Sequence, residues 1–322
     1  MAQPMPKYVL LAGAFLLAVL LFGEIPFRAP EFAHWDLFRY QAMAEAFPDI
    51  DPEVKLPFAG RLLGPALVAA LPVPVETSFR LWTLVAGLAT TLLLCRFLER
   101  RGIRTETAVL VTVLFVFNRQ FFGTVLWNYF QLNDMLGFVC LLAAFEAMLA
   151  RRWTFFALAL AVGVFAREIV LVMVPTAICY LACPGEEDNR SRRWPAAILS
   201  MVPTLVIFVL LRNTLPESGR GVVETCRDFS VKAGAWRTWY YLLVNSVSPL
   251  TFLPVLFHRR ALRFLADRPW LVVYAALVFV SSFMGSNNER LMAPVFVAFY
   301  WLVAHVIDGW AGRWRTLAMG LV

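Results

Sequence analysis

Long apolar runs alternate with short polar connectors along this chain. The first run extends from Tyr8 to Phe22. Others lie near residues 77–98, 105–123, 132–150, 153–166, 168–183, 195–212, 238–257, 270–285 and 290–307. The runs are continuous rather than alternating, and about 20 mostly apolar residues carry a helix across a bilayer. The pattern predicts an all-α fold, a polytopic transmembrane helical bundle of about ten spans. Leu62–Leu71 is apolar but only half a span long, and Pro72 and Pro74 end it, so 62–71 reads as a short non-spanning helix. Only Arg167-Glu168 interrupts the stretch from 153 to 183, which fits one long tilted helix or two spans joined by a tight turn.

The connectors set the orientation. Glu99–Arg104, Arg151-Arg152, Arg190–Arg193, His258–Arg263 and Arg313 with Arg315 are short and basic. The positive-inside rule places all five in the cytoplasm. That holds when 62–71 does not cross and Arg167-Glu168 marks an outward turn. Both termini are then cytoplasmic, and the two long loops, 24–60 and 213–237, fall outside. So do the junctions 124–131 and 286–289. No repeat, low-complexity tract or soluble domain interrupts 1–322, which reads as a single integral membrane domain. Scarce lysine beside abundant arginine points to a GC-rich bacterial genome, and the expected location is a bacterial cytoplasmic (inner) membrane.

Composition agrees. Sixty per cent of the 322 residues are hydrophobic, against about 45–50 % in soluble domains. Lipid-facing surface of that extent leaves only helices or closed barrels, with the bilayer itself as a partner. The net charge of +7 comes from basic residues scattered between apolar runs. It signals topology, and no nucleic acid partner is expected. The five cysteines show neither zinc spacing nor a disulfide framework. Lys7 precedes the first apolar run, but no small-residue cleavage site follows it, so an uncleaved first helix is expected.

Five polar elements remain, all on the outer side of this topology. In His34-Trp35-Asp36-Leu37-Phe38-Arg39-Tyr40, Asp36 is an acid among aromatics, suited to general base work or to capping a helix over 37–47. His34 is a weak metal-ligand candidate beside it. Arg61, in Pro57-Phe58-Ala59-Gly60-Arg61-Leu62-Leu63-Gly64-Pro65, either snorkels to headgroups or clamps a phosphate with its two-pronged guanidinium. Asn133-Asp134 opens the 132–150 run. Asp134 faces a polar interior, or favours the helix dipole, or pairs with Arg119. Arg167-Glu168 reads as an acid–base pair within apolar sequence, functional or locking two helices. Glu289-Arg290 repeats that pairing between the last two spans, where a polar turn is the plainer reading.

Taken together, the Asp36 loop, the Pro57-Phe58…Arg61-Leu62…Pro65 element and Ala166-Arg167-Glu168 resemble the polytopic membrane glycosyltransferases of the GT-C superfamily. The resemblance is to compact bacterial members without a soluble C-terminal domain, and it covers the organisation of most of the chain. It implies inverting transfer of a sugar from a polyprenyl-phosphate donor to an acceptor (glycan, lipid or protein) at the extracytoplasmic face. Asp36 would deprotonate or orient the acceptor, in some members with a divalent metal, Mg or Mn. Arg61, Arg167 or Arg290 would hold the donor phosphate, with His34, Tyr40, Asn133, Asp134, Glu168 and Glu289 around the substrates. Many members carry two adjacent acids where this chain has His-Trp-Asp, and Asp49, Asp51 and Glu53 lie in the same loop. The main rival is a secondary transporter, favoured by the unwound-looking Ser246-Val247-Ser248-Pro249.

Overall fold

A computed structural model describes residues 7–23, 36–127, 131–183, 190–216, 222–247, 250–284 and 288–309. Every regular element among them is helical. Four helices are long and apolar enough to cross a membrane: Val75–Arg100, Leu132–Leu149, Trp194–Thr214 and Arg290–Asp308. A fifth candidate is the pair His258–Ala266 and Pro269–Ser282, bent by 102°. Lys7–Phe22, Thr105–Val116, Trp153–Ala166 and Glu168–Ala182 are apolar but shorter. The chain is thus an all-α integral membrane protein. Leucines that would be untenable on a water-soluble surface, such as Leu20, Leu158 and Leu199, lie 79 %, 59 % and 70 % exposed.

The described chain groups into two compact units, each built from non-contiguous segments. The first comprises Met1–Gly23, Leu88–Thr124 and Asp228–Val322, and the second Glu24–Gly87 and Val125–Arg227.

In the first unit, Lys7–Phe22 and Phe296–Asp308 both pack on Thr105–Val116. Phe115 sits at the centre, stacked on Phe296 at 4.9 Å and edge-on to Phe122 at 5.0 Å and Tyr300 at 5.2 Å. Apolar runs expected to be continuous are broken here. The 105–123 run stops at Val116 and resumes as a π-turn over Arg119–Gly123, which Asn118 caps by accepting from the Phe121 N–H at 2.7 Å. The 238–257 run likewise divides into Trp236–Tyr240, a π-turn over Tyr241–Asn245, and Phe252–Leu256.

The second unit is organised on Trp153–Ala166, flanked by Leu132–Leu149 and Arg190–Thr214. Gly163 permits the approach, because a Cβ there would lie 2.9 Å from Val170 and 3.1 Å from Cys140. The turn after Leu149 closes with Arg152 N–H on the Ala147 carbonyl and Arg151 N–H on Met148, which forces Arg151 to φ 57°. Outside these long helices, Leu37–Ala46 packs on the seven-residue helix Leu63–Ala69. At about 1.5 Å per residue the latter is roughly 10 Å long, far short of a bilayer. It rests instead on Leu132–Leu149 and Trp153–Ala166.

Candidate functional site

The second unit gathers charged and polar side chains where three connections meet. Tyr40 comes from the Leu37–Ala46 helix, and Arg61 from the turn before Leu63–Ala69. Asn133 and Asp134 open Leu132–Leu149, while Arg167 and Glu168 occupy the break after Trp153–Ala166.

Arg61 is the hub. Its guanidinium grips Glu168 with two prongs, Nη2 donating to Oε1 at 2.6 Å and Nε to Oε2 at 3.0 Å. Nη1 donates to the Tyr40 hydroxyl at 2.9 Å. Arg61 and Tyr40 are buried, whereas the Glu168 side chain keeps 39 % of its surface exposed. Burial opposes the Arg61 charge, but Glu168 and Tyr40 outweigh it and hold the pKa well above the ordinary arginine value. Glu168 lies in a 3₁₀ connector, outside the four candidate spans. Burial pushes its carboxyl up, yet the Arg61 charge and hydrogen bonds hold it down at about 2. Glu168 is therefore a fixed anion, poorly matched to proton abstraction near neutral pH.

Phe58 lies beneath the hub. The Arg61 guanidinium stands 5.4 Å and that of Arg39 4.3 Å from its ring centroid, and Tyr40 meets it edge-on at 5.8 Å. Asn133 ties the hub's backbone to the long helices, accepting from the Gly64 N–H at 2.9 Å and donating to the Arg61 carbonyl at 3.3 Å. A Cβ on residue 64 would stand 2.6 Å from Asn133 Oδ1, so glycine is needed there for space rather than for backbone freedom.

Arg167 forms a separate ion pair with Asp134, both side chains almost fully buried. The pairing expected between Arg167 and its neighbour Glu168 does not form. Arg167 is extended, at φ −163° and ψ 130°, so consecutive side chains leave the backbone in opposite directions. Each finds an opposite charge from a distant segment.

Asp36 stands at the N-cap of Leu37–Ala46, and its side chain makes no capping bond to that helix. Its backbone is helical, at φ −58° and ψ −18°, and its carbonyl accepts from the Tyr40 N–H at 3.2 Å. Asp36 thus sits one turn before the tyrosine that touches Arg61. His34 lies outside the described residues. Glu289 and Arg290 fall in the short helix Asn288–Met292 of the first unit, and the position of the Glu289 side chain is not described.

Beside Glu168 a cavity of about 180 Å³ opens. Leu56, Pro57 and Gly60 form one wall and Phe208, Leu211 and Arg212 another. Leu56 fixes the first wall by donating its N–H to the Pro216 carbonyl at 2.9 Å, which docks the first loop on the end of Arg190–Thr214. Arg212 is exposed, its guanidinium 5.9 Å from the Phe208 ring centroid. Sequence reasoning passed over Arg212, and it noted Phe58 and Gly64 only as members of the element around Arg61. The signal for Arg212 was available, since it is an arginine at the end of an apolar run that the expected topology puts outside, against the positive-inside trend.

Among the described residues no group of three or more His, Cys, Asp or Glu side chains is placed to hold a metal ion. The divalent cation implied by the resemblance finds no such ligand set among these residues, and His34 lies outside them. Comparison with known proteins finds no family model and no curated relative that matches this sequence.

Proposed function

We propose that this protein is a membrane glycosyltransferase that moves a sugar from a polyprenyl-phosphate donor to an acceptor hydroxyl. The reading includes about ten spans in a bacterial cytoplasmic membrane, both termini cytoplasmic and the site on the extracytoplasmic side. The observation that carries it is the Arg61–Glu168–Tyr40 frame standing at the edge of an apolar cavity with an exposed arginine at its rim. Such a place suits a ligand with a lipid tail, an anionic joint and a polar sugar.

In this reading Asp36 takes the proton of the acceptor hydroxyl, whose oxygen attacks the anomeric carbon. The bond from that carbon to the phosphate oxygen breaks, and the electron pair leaves with the polyprenyl phosphate. Negative charge grows on the phosphate as the bond breaks, and a fixed cation stabilises it. Arg61 and Arg167 already hold carboxylates, the half-exposed Glu168 and the buried Asp134. They act as positioning residues, and Arg212 takes the phosphate. Glu168, anchored and ionised, accepts hydrogen bonds from sugar hydroxyls.

The test is transfer from radiolabelled polyprenyl-phosphate sugars by the purified full chain, comparing wild type with Asp36→Asn and Arg212→Gln. Transfer by wild type that falls at least a hundredfold in Asp36→Asn supports the reading. An Asp36→Asn protein as active as wild type removes the base, and absence of transfer from every donor tested removes the enzyme. A second reading, secondary transport, has the paired π-turns of the first unit in its favour, because broken helices line many solute paths. Uptake of a solute by proteoliposomes in place of transfer would select it.

A further inference from the structure

The helix His258–Ala266 was expected to be a basic connector. It is a nine-residue helix with two unlike faces, bent by 102° from the apolar helix Pro269–Ser282 that follows. A bend of that size fits a first helix lying along a surface and a second that enters it. Its inner face is anchored. Ala261 and Phe264 are buried, and the Phe264 ring lies 5.4 Å from Trp301 and 4.8 Å from His305. Arg268 closes the end, its guanidinium 4.4 Å from the Phe264 centroid and 5.3 Å from that of Trp301.

The outer face presents His258, Arg259, Arg260 and Arg263 to the exterior, with Leu262 among them at 63 % exposed. Just ahead, Phe252, Val255 and Leu256 are 62–72 % exposed. Of the acids in the same unit, Asp267 caps the end of this helix beside Arg268, and two others are engaged elsewhere. Asp308 pairs with Arg104 at 3.6 Å and accepts from Thr107, and Glu99 holds Lys7 at 2.6 Å. Arg259, Arg260 and Arg263 have no carboxylate partner among the described residues. Three unneutralised arginines held on a rigid helix, beside exposed apolar side chains, match one kind of partner. Anionic headgroups meet the guanidinium forks, and acyl chains meet the Phe252–Leu256 surface.

We propose that His258–Ala266 is an interfacial helix that recognises anionic phospholipid headgroups and selects them over zwitterionic ones. The inference rests on the first unit alone and holds whether or not the protein transfers sugars.

Near a membrane surface each arginine contributes roughly 1 kcal/mol, or about a fivefold change in affinity, so three together give on the order of a hundredfold. The experiment is native mass spectrometry of the purified full chain with phosphatidylglycerol or phosphatidylcholine. Wild type is compared with Arg259→Gln/Arg260→Gln/Arg263→Gln and with the corresponding triple lysine variant. The expected result is at least a tenfold preference for phosphatidylglycerol in wild type, lost in the glutamine variant and largely kept in the lysine one. Inorganic phosphate at constant ionic strength should not compete. Equal retention of both lipids by wild type overturns the proposal, as does an unchanged preference in the glutamine variant. Competition by inorganic phosphate would instead identify a free-anion site. If the glutamine variant does not fold, the lysine variant decides, since loss of the preference there excludes recognition by charge.

Discussion

Arg61 and Glu168 are 107 residues apart in sequence and joined by two hydrogen bonds of 2.6 Å and 3.0 Å. The parallel fork is a geometry that lysine cannot reproduce, because its single ammonium reaches one oxygen at a time and leaves Tyr40 without its donor. Arg61→Lys should therefore destabilise the second unit by about 2 kcal/mol, the scale of losing one charge-assisted hydrogen bond. The exposed part of Glu168 keeps the figure from being larger. Thermal unfolding in detergent measures it. A midpoint equal to wild type would mean that the fork carries no stability.

The same pair fixes a pH dependence. The Glu168 carboxyl is held at about 2, against an ordinary 4.5. A group depressed in the folded state contributes stability in full above its unfolded pKa and loses it as pH falls toward the folded one. The difference in thermal midpoint between wild type and Glu168→Gln should thus be constant from pH 7 to about 5, then shrink between about 4.5 and 2. A difference already shrinking between pH 7 and 6 would show that another group governs it.

Much of this arrangement was legible in the sequence, and the illegible part has a physical cause. Arg61, Asn133, Asp134, Arg167 and Glu168 stood out because charge and amide inside apolar sequence must be satisfied within the protein. Periodicity also separated the apolar runs from their connectors. Sequence could not say which charge pairs with which. Adjacent letters suggested Arg167 with Glu168, but one extended residue at the helix break turns their side chains apart. Continuity misled in the same way at 105–123 and 238–257. The asparagine cap interrupts the first run without compositional warning, whereas in the second Ser246-Val247-Ser248-Pro249 marked a break and only the π-turn ahead of it was not foreseen. Arg212 was hidden because its partner surface, Leu56 to Gly60, lies in a polar loop distant in sequence.

Gly64 offers a test of packing around the hub. In the first turn of a helix, alanine ordinarily gains up to about 1 kcal/mol over glycine. Here the added carbon would lie 2.6 Å from Asn133 Oδ1, and that amide is fixed by Gly64 and Arg61. Displacing it forfeits two hydrogen bonds and strains a buried side chain, so Gly64→Ala should cost about 1–2 kcal/mol net. In an Asn133→Ala background the clash is gone, and the same substitution should become neutral or stabilising. Equal costs in both backgrounds, read from thermal midpoints, would show that the two residues do not share this space.

Asp134 and Arg167 pair where water is nearly excluded, at 3 % and 2 % exposed. Removing one partner strands the other's charge. Asp134→Leu or Arg167→Met alone should therefore lower stability by about 3–5 kcal/mol. Removing both leaves apolar groups among Gly137 and the neighbouring helices, with no charge to bury. The double variant Asp134→Leu/Arg167→Met should then be more stable than either single one, by thermal unfolding in detergent. It should also retain the Arg61–Glu168 fork, because Glu168 is anchored through Arg61 rather than through its sequence neighbour. A double variant that loses as much as the two singles combined would mean that these residues act through separate partners. The ion pair would then not be what holds the break at Arg167 against the Leu132–Leu149 helix.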